Sequence, residues 1–258
     1  MGATADPRSD FPSGMTGAAR SVAEQTLPAD KFAPRPHPRH RMPMIEATPN
    51  TLSAALAARQ LDLPADQVEL LEAYCQRLWS WNERLNLTRH TDYDKFVDRD
   101  LVDVLALEPF VEPGDRVLDV GSGGGVPGVP LAIVRPDLQV ELCESVGKRA
   151  RALTAIVAES DLEIPTHHAR AEELLADHAY DVLVVRAVAP LEKLLRWLSP
   201  CWNSFARLLA IKGPAWVEER RAARERGLFQ GLQLRKLASY PLAGADSESV
   251  ILEIRPED

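Results

Sequence analysis

The sequence predicts an α/β protein in which a mostly parallel seven-stranded sheet carries helices on both faces and follows a small helical N-terminal unit. Seven strand-like apolar runs alternate with helical runs from residue 116 onward. Strands that are apolar throughout belong to a parallel sheet covered on both faces. A glycine cluster, LDVGSGGGVPGVP at residues 118–130, ends the first strand-like run, which is where open sheets of this kind bind their ligands.

The composition supports a large apolar core and argues against a membrane protein. Of the 258 residues, 45% are hydrophobic, which suffices for one large domain with an appendage. No run approaches the roughly 18 apolar residues of a membrane span, and the N-terminus lacks the layout of a signal peptide, so we expect a cytoplasmic protein. Three widely spaced cysteines, Cys75, Cys143 and Cys201, fit neither a disulfide framework nor a zinc site, so we expect reduced core thiols and no metal.

The chain divides into three segments by composition and periodicity. Residues 1–48 are rich in Pro, Ala, Ser and Arg without an apolar period, which predicts a disordered tail. Residues 49–112 show helical spacing. Pro113-Gly114 breaks the chain before the sheet domain, residues 113–258. The helical unit is predicted from TLSAALAARQL, from DKFVDRDLVDVLAL, and from DQVELLEAYCQRLWSWNERL with Val68, Leu71, Tyr74, Cys75, Leu78 and Trp81 on one face.

Within the sheet domain, each element is predicted from its own run. The strand-like runs are RVLDV, VELCE, IPTHHA, YDVLVVR and RLLAIKG, and the helical runs between them are GKRARALTAIVAE, AEELLAD, LEKLLRWL and WVEERRAARERG. The chain closes with LQLRKLASY and SVILEIR. We expect these last two strands to pair antiparallel.

The net charge of −8 argues against a protein that grips nucleic acid over its whole surface, but the charge is unevenly distributed. Residues 60–120 carry 6 Lys and Arg against 14 Asp and Glu, whereas residues 186–236 carry 11 against 4. One flank is therefore locally basic, although the run RRAARER has the composition of an ordinary solvated helix face.

The glycine cluster predicts a ligand site. Gly121 can leave the strand in a conformation closed to other residues, and Gly123 and Gly125 let the backbone approach a ligand. Glu144 then stands where a ribose-binding acid is expected, about twenty residues on. With Gly128, the spacing is also that of a dinucleotide site, so a nicotinamide or flavin oxidoreductase remains an alternative to S-adenosylmethionine. Only 258 − 144 = 114 residues follow Glu144, too few for a separate substrate domain.

The segment DVGSGGGVPGVPLAIVRPDLQVELCESVGKRARAL closely resembles the glucose-inhibited division protein B family, the bacterial 16S ribosomal RNA (guanine-527-N7)-methyltransferases. WNERLNLTRH is similar to the family's W-N-x-x-x-N-L-T, RDLVDVL is similar to its R-H-x-x-D-S, and ARAEEL, VVRAVAPLEKLLRW and LLAIKGP follow in the family order. The resemblance covers roughly residues 65–215. It implies a class I, Rossmann-like methyltransferase that uses S-adenosylmethionine and acts on 16S rRNA of the small ribosomal subunit. We expect a monomer.

The resemblance also implies roles for particular residues. In the cofactor site, Gly121 and Val126 would contact the cofactor from the glycine loop, Glu144 would hold its ribose, Ala171 and Glu172 would flank its adenine, and Arg186 would lie in the same pocket. Basic residues in positions suited to RNA are Lys148, Arg149, Arg170 and Lys212. The chain departs from the family pattern around the expected base pocket, with Asp100 for histidine, Val104 for serine, and Val185, Val188 and Pro190 around the S-R-A-F-A-S motif.

The chemistry implied for guanine N7 requires no general base, because this nitrogen carries an in-plane lone pair and no proton. We therefore expect no catalytic acid–base residue, only alignment. The sequence also lacks the D/N-P-P-Y motif of amino-group methyltransferases and a Pro-Cys nucleophile. A small-molecule methyltransferase remains the alternative function. For Arg186, an internal salt bridge with Glu172 or Asp119 is the alternative to a place in the pocket, and Lys212 is equally compatible with phosphate binding and with capping its strand.

Overall fold

The computed structural model describes residues 50–242 and 247–257. The tail predicted for residues 1–48 lies outside this range. No helix in the described ranges is long and apolar enough to cross a membrane. The three cysteines are free and buried, as the sequence predicts.

The N-terminal unit begins with two helices, α1 (Leu52–Ala58) and α2 (Ala65–Asn82). Thr51 caps α1, because its hydroxyl accepts a hydrogen bond from the Ala54 amide at 3.2 Å. The face predicted for α2 is confirmed at its centre, since Leu71, Tyr74, Cys75 and Leu78 are buried.

The third predicted helix is interrupted. It comprises α3 (Tyr93–Lys95), a π-helical segment over Phe96–Leu101, and α4 (Val102–Leu107). A π segment widens the helix and is frequent at functional sites. Here it carries Asp100, a residue that forms part of the site described below.

The seven strands form one sheet in the order β3-β2-β1-β4-β5-β7-β6. β1 pairs in parallel with β2 and β4, β2 with β3, and β4 with β5, whereas β7 pairs antiparallel with β5 and β6. The mostly parallel sheet and the antiparallel closing pair are therefore confirmed. The strands are β1 (Arg116–Val120), β2 (Gln139–Cys143), β3 (Thr166–His167), β4 (Tyr180–Arg186), β5 (Phe205–Lys212), β6 (Leu232–Pro241) and β7 (Glu248–Pro256).

Helices cover both faces of the sheet. The connections are α5 (Gly128–Val134), α6 (Gly147–Glu159), α7 (Ala171–Asp177), α8 (Leu191–Leu198) and α9 (Trp216–Glu225). The helices α1, α2, α4, α5 and α6 share one apolar core on the first face. The second core, on the other face, contains residues of α7, α8 and α9. Since side chains alternate along a strand, Val182 and Val184 of β4 face the N-terminal unit, while Leu183 and Val185 face α7 and α8.

Candidate functional site

The loop after β1 runs along the tip of β2. The amides of Gly121 and Ser122 donate to the carbonyl of Cys143 at 2.8 and 3.1 Å. Gly121 has φ +74° and Gly123 has φ +57°, in the left-handed region that favours glycine. A Cβ on Gly123 would meet only the Gly121 carbonyl oxygen, at 3.9 Å. Gly123 therefore presents bare backbone to open space, as a ligand cradle requires.

The other glycines of the cluster are explained by close packing. A Cβ on Gly125 would lie 2.8 Å from Val129 Cγ2 and 3.2 Å from the hydroxyl of Tyr74. A Cβ on Gly128 would lie 2.8 Å from Asp119 Cβ. Gly125 is buried and packs beside Tyr74 of the N-terminal unit. Its approach to a ligand stays a prediction.

Glu144 follows β2 and is fixed by the loop that it faces. Its Oε2 accepts from the Gly123 amide at 3.1 Å, and its Oε1 accepts from the Val146 amide at 2.7 Å. The side chain is only 4% exposed. A carboxylate has about four acceptor sites, so each oxygen keeps one for a ligand hydroxyl. The predicted ribose acid thus lies beside the predicted cradle.

Asp119, the fourth residue of β1, supports the loop from below. Its Oδ2 accepts from the Gly128 amide at 3.0 Å, and Oδ1 is buried without a hydrogen-bond partner among the described residues. Burial raises the pKa of Asp119 to about 7, against the opposing effect of the Gly128 hydrogen bond. This carboxyl therefore titrates near neutral pH.

A pocket of about 150 Å³ opens beside Gly121 between α7 and α8. Three of the predicted cofactor residues, Gly121, Ala171 and Glu172, line it together. Cys143 lines its floor with a buried thiol whose pKa is raised to about 12, chiefly by burial. Such a thiol is protonated at neutral pH and does not serve as a nucleophile. The remaining lining residues are Val120, Ser145, Ala169, Arg170, Val188, Leu194, Trp197 and Leu198.

Arg186 ends β4 and bonds to the N-terminal unit. Its Nη2 lies 2.5 Å from Asp100 Oδ1, and its Nε lies 3.2 Å from Asp103 Oδ2. The internal salt bridge that was the alternative to a place in the pocket therefore exists, but its partners are Asp100 and Asp103 and not Glu172 or Asp119. Burial alone would lower the pKa of Arg186, and the charges of Asp100 and Asp103 outweigh burial and raise it.

The ion pairs of Arg186 belong to a wider buried network that the sequence did not reveal. His90 Nδ1 lies 2.9 Å from Asp100 Oδ1, and the Tyr240 hydroxyl donates to Asp103 Oδ1 at 2.6 Å. The i,i+3 spacing of Asp100 and Asp103 indicates a shared helix face, but nothing in the sequence shows that β4 lies opposite. Arg186 Nη1 and Asp100 Oδ2 are buried without hydrogen-bond partners among the described residues.

The segment WNERLNLTRH runs from the last two residues of α2 into a loop that packs on the glycine cluster. Asn82 Oδ1 accepts from the amides of Leu87 and Thr88 at 2.6 and 2.9 Å. Leu87 then lies against Gly124, where a Cβ would be 3.5 Å from Leu87 Cβ. The asparagine of this motif therefore shapes the loop that packs on the glycine cluster.

Three of the four predicted RNA-binding residues lie on the surface. Lys148 and Arg149 are exposed in the first turn of α6, and exposed Arg170 precedes α7 and pairs with Glu172 at 2.8 Å. Lys212 is turned inward instead. It is 8% exposed, and its Nζ donates to the Ala189 carbonyl at 2.6 Å and to Glu219 at 2.8 Å. The ammonium of Lys212 thus joins β5 to α9 and does not face an open surface.

No group of three or more potential metal ligands occurs in the described part of the chain. The adjacent histidines have different neighbours, because His167 bonds to Glu141 at 2.7 Å while His168 lies against Gly147.

Comparison with known proteins identifies the family of this chain. The family model of rRNA small subunit methyltransferase G (GidB) matches residues 67–244. Ribosomal RNA small subunit methyltransferase G of Rhodopirellula baltica is 53% identical over 178 residues, covering 69% of this chain and 77% of that protein. The protein of the same name from Desulfitobacterium hafniense is 35% identical over 198 residues, covering 74% and 82%.

Among solved structures, the crystal structure of MtNAS in complex with MTA and tNA resembles this one with a TM-score of 0.51 and 15% identity, covering 74% of this chain and 71% of that chain. This likeness concerns the fold, which is the class I methyltransferase fold expected from the sequence. The family match extends over more than half of the chain and includes the glycine loop, Glu144 and Arg186. The chain belongs to the GidB family of small-subunit ribosomal RNA methyltransferases.

Proposed function

We propose that the chain transfers a methyl group from S-adenosylmethionine to N7 of a guanine in 16S ribosomal RNA, at position 527. One observation carries the proposal. Gly123, whose Cβ position is open, donates its amide to the buried carboxylate of Glu144 next to a pocket lined by Gly121, Ala171 and Glu172. Among them, the family resemblance assigns the cofactor to Gly121, Glu144, Ala171 and Glu172, and the glycine cluster itself indicates Gly123.

The residues present fit S-adenosylmethionine. Glu144 offers acceptor sites for ribose hydroxyls, and the largely apolar pocket beside it suits a flat heteroaromatic base. When bound, this cofactor supplies an electrophilic methyl group on a sulfonium. Gly121, Gly123, Gly125 and Val126 would hold it from the loop, Glu144 from β2, and Ala171 and Glu172 from α7.

Alignment is the main contribution of the protein to the reaction. Guanine N7 attacks through a lone pair, so no residue needs to remove a proton. Holding the two reactants in line can lower a barrier by roughly 7–11 kcal/mol. The loop is suited to this task because Glu144, Asp119 and Leu87 hold it from three sides.

Arg186 is proposed to face the bound cofactor and the target base. Nε and Nη2 are taken by Asp103 and Asp100, which leaves Nη1 without a partner among the described residues. A buried donor without a partner costs about 1–3 kcal/mol. A ligand acceptor near Nη1 would remove that cost.

The RNA is proposed to lie across the exposed basic residues at the carboxyl edge of the sheet. Lys148 and Arg149 begin α6, and Arg170 lines the rim of the pocket. Phosphates can contact these side chains while the base enters the site. Lys212, the fourth predicted RNA-binding residue, is proposed as a structural residue. We further propose that the protein acts as a monomer in the cytoplasm, where its rRNA substrate is found.

The test is to incubate the purified protein with labelled S-adenosylmethionine and 30S subunits that lack this methyl group. Label should appear at guanine 527, located by primer extension after N7-specific cleavage. Glu144→Ala, which removes the ribose acceptor, is the matched control and should transfer no label. Label at another nucleotide would show that the target base is not guanine 527. Methylation of a metabolite instead of RNA would refute the proposed substrate. Binding of NADH in place of S-adenosylmethionine would favour an oxidoreductase.

A further inference from the structure

Trp197 is an exposed tryptophan on a helix that otherwise buries its apolar side chains. The leucines of α8, Leu191, Leu194, Leu195 and Leu198, are at most 2% exposed, whereas Trp197 is 40% exposed. Tryptophan is large and apolar, and it is highly buried on average. Its exposure beside a pocket indicates a surface that a ligand covers.

The pocket beside Trp197 is a slot with apolar walls and a polar rim. Trp197, Leu194 and Leu198 of α8 form one side, and Ala171 of α7 lines the other. Its polar lining residues include Ser145 and the Arg170–Glu172 ion pair. An apolar slot with few polar groups binds a flat heteroaromatic ring and fixes its orientation from the rim.

The position of Glu144 indicates which part of a bound nucleoside would enter the slot. Glu144 lies between Cys143 and Ser145, and both of these neighbours line the pocket. A nucleoside whose ribose meets Glu144 therefore has its base directed into the slot, towards α8.

We propose that Trp197 forms a stacking wall for the adenine of the methyl donor. This inference rests on the proposed function for the identity of the donor. Stacking of a base on an aromatic side chain is sequence-tolerant and substantial, and Trp offers the largest ring for it. The tryptophan exposed in the free protein is covered by the bound adenosine, which makes it a reporter of binding.

The test measures binding, apart from methyl transfer. S-adenosylhomocysteine and 5′-methylthioadenosine are titrated calorimetrically into the full chain and into Trp197→Ala and Trp197→Phe. Trp197→Ala should weaken both ligands by the same factor, about ten- to a hundredfold, because both carry the same adenosine. Trp197→Phe should weaken them by less than about tenfold, since a smaller ring remains.

Tryptophan fluorescence separates Trp197 from the other tryptophans. S-adenosylhomocysteine should quench the wild-type emission, and this quench should disappear in Trp197→Phe. Trp216→Phe is the matched control, because Trp216 lies under Arg220 on α9 and is not among the residues that line the pocket. That variant should keep both the quench and the wild-type affinity.

Three results would overturn the inference. The first is unchanged affinity of folded Trp197→Ala for both ligands. The second is a quench that persists in Trp197→Phe. The third is unchanged cofactor affinity with a raised KM for 30S subunits, which would assign Trp197 to the RNA surface. Failure of the proposed cofactor differs from all three, since wild-type protein would then bind neither ligand, whereas failure of the rRNA target alone would leave these binding results unchanged.

Discussion

At the scale of a single residue, Asp119 makes the stability of the folded protein depend on pH. Its folded pKa of about 7 lies above the ordinary aspartate value, so the folded state binds a proton more tightly than the unfolded state. The contribution of Asp119 to stability is therefore fully present below about pH 4 and is lost as pH rises to about 7. The slope in this window is at most about 1.4 kcal/mol per pH unit.

Replacing Asp119 by Asn should remove this dependence, since a neutral amide can still accept from the Gly128 amide. We expect the difference in unfolding free energy, wild type minus Asp119→Asn, to fall between pH 4 and 7 and to level off above pH 7. Urea unfolding across this range measures it. A difference that does not change with pH would show that Asp119 keeps an ordinary pKa.

Removal of Arg186 would leave two buried carboxylates without their arginine partner. Asp100 and Asp103 are 1% and 7% exposed, and both rely on Arg186 for a cationic partner. Arg186→Ala should therefore lower the unfolding free energy by about 3–5 kcal/mol. Asp100→Asn should cost less, about 1–3 kcal/mol, because Asp103 still neutralises the arginine.

Arg221→Ala is the matched control for Arg186→Ala. Arg221 forms a pair with Glu218 that is mostly exposed on both sides, and such pairs contribute little. Its unfolding free energy should stay within about 0.5 kcal/mol of wild type. If Arg186→Ala were equally stable, the aspartates would have to be protonated or hydrated in the folded protein.

At the scale of the element, α5 must begin at Gly128 for close contact with the sheet. A Cβ at Gly128 would collide with Leu142 and would lie 2.8 Å from Asp119 Cβ. Gly128→Ala should therefore destabilise the protein by about 1–3 kcal/mol through overpacking. The displaced helix start would also weaken S-adenosylhomocysteine binding, measured by calorimetry.

Gly213→Ala provides the comparison, since Gly213 has nothing within 4 Å of its Cβ position and no positive φ. This substitution should be neutral or slightly stabilising, by up to about 1 kcal/mol. Equal destabilisation at the two positions would mean that the close contacts with Leu142 and Asp119 do not explain the effect at Gly128.

The local pattern of apolar residues predicts some elements to the residue and misses the interruption of another. The run AEELLAD coincides with α7, residues 171–177, and YDVLVVR coincides with β4. The run DKFVDRDLVDVLAL also shows helical spacing, but it contains a π segment at Phe96–Leu101. This segment holds Asp100 opposite Arg186, 86 residues away, and a tertiary contact of that separation has no local signal.

At the scale of the whole molecule, the sequence predicts the sheet domain and the local part of the site. The glycine loop and Glu144 follow consecutive strands, so their meeting at one sheet edge follows from parallel topology. The network of His90, Asp103 and Tyr240 joins the N-terminal unit to two distant strands. Burial of such groups depends on how elements pack, and a single sequence does not encode that directly.

Because the overall charge is −8, RNA binding must depend on local basic residues. The salt dependence of the affinity tests which of these residues contact phosphate. Each phosphate that the protein contacts releases counterions, which steepens the slope of log affinity against log salt by roughly 0.7–0.9. If Lys148 and Arg149 each contact a phosphate, the double substitution Lys148→Ala, Arg149→Ala should reduce the slope for 30S binding by about 1.4–1.8. Filter binding between low and physiological salt measures this slope.

The second basic region, on α9, supplies the control. Arg221 of α9 pairs with Glu218, and Arg226, the residue that directly follows α9, pairs with Glu192. These charges are therefore partly neutralised within the protein. Arg221→Ala, Arg226→Ala should therefore leave the slope unchanged, although it removes as much positive charge as the α6 double variant. Because both variants alter net charge equally, a difference between them must come from position. An equal reduction of the slope in both variants would place the RNA over both helices, and a reduction confined to the α9 variant would move the RNA surface to the flank where the sequence has its densest run of arginines.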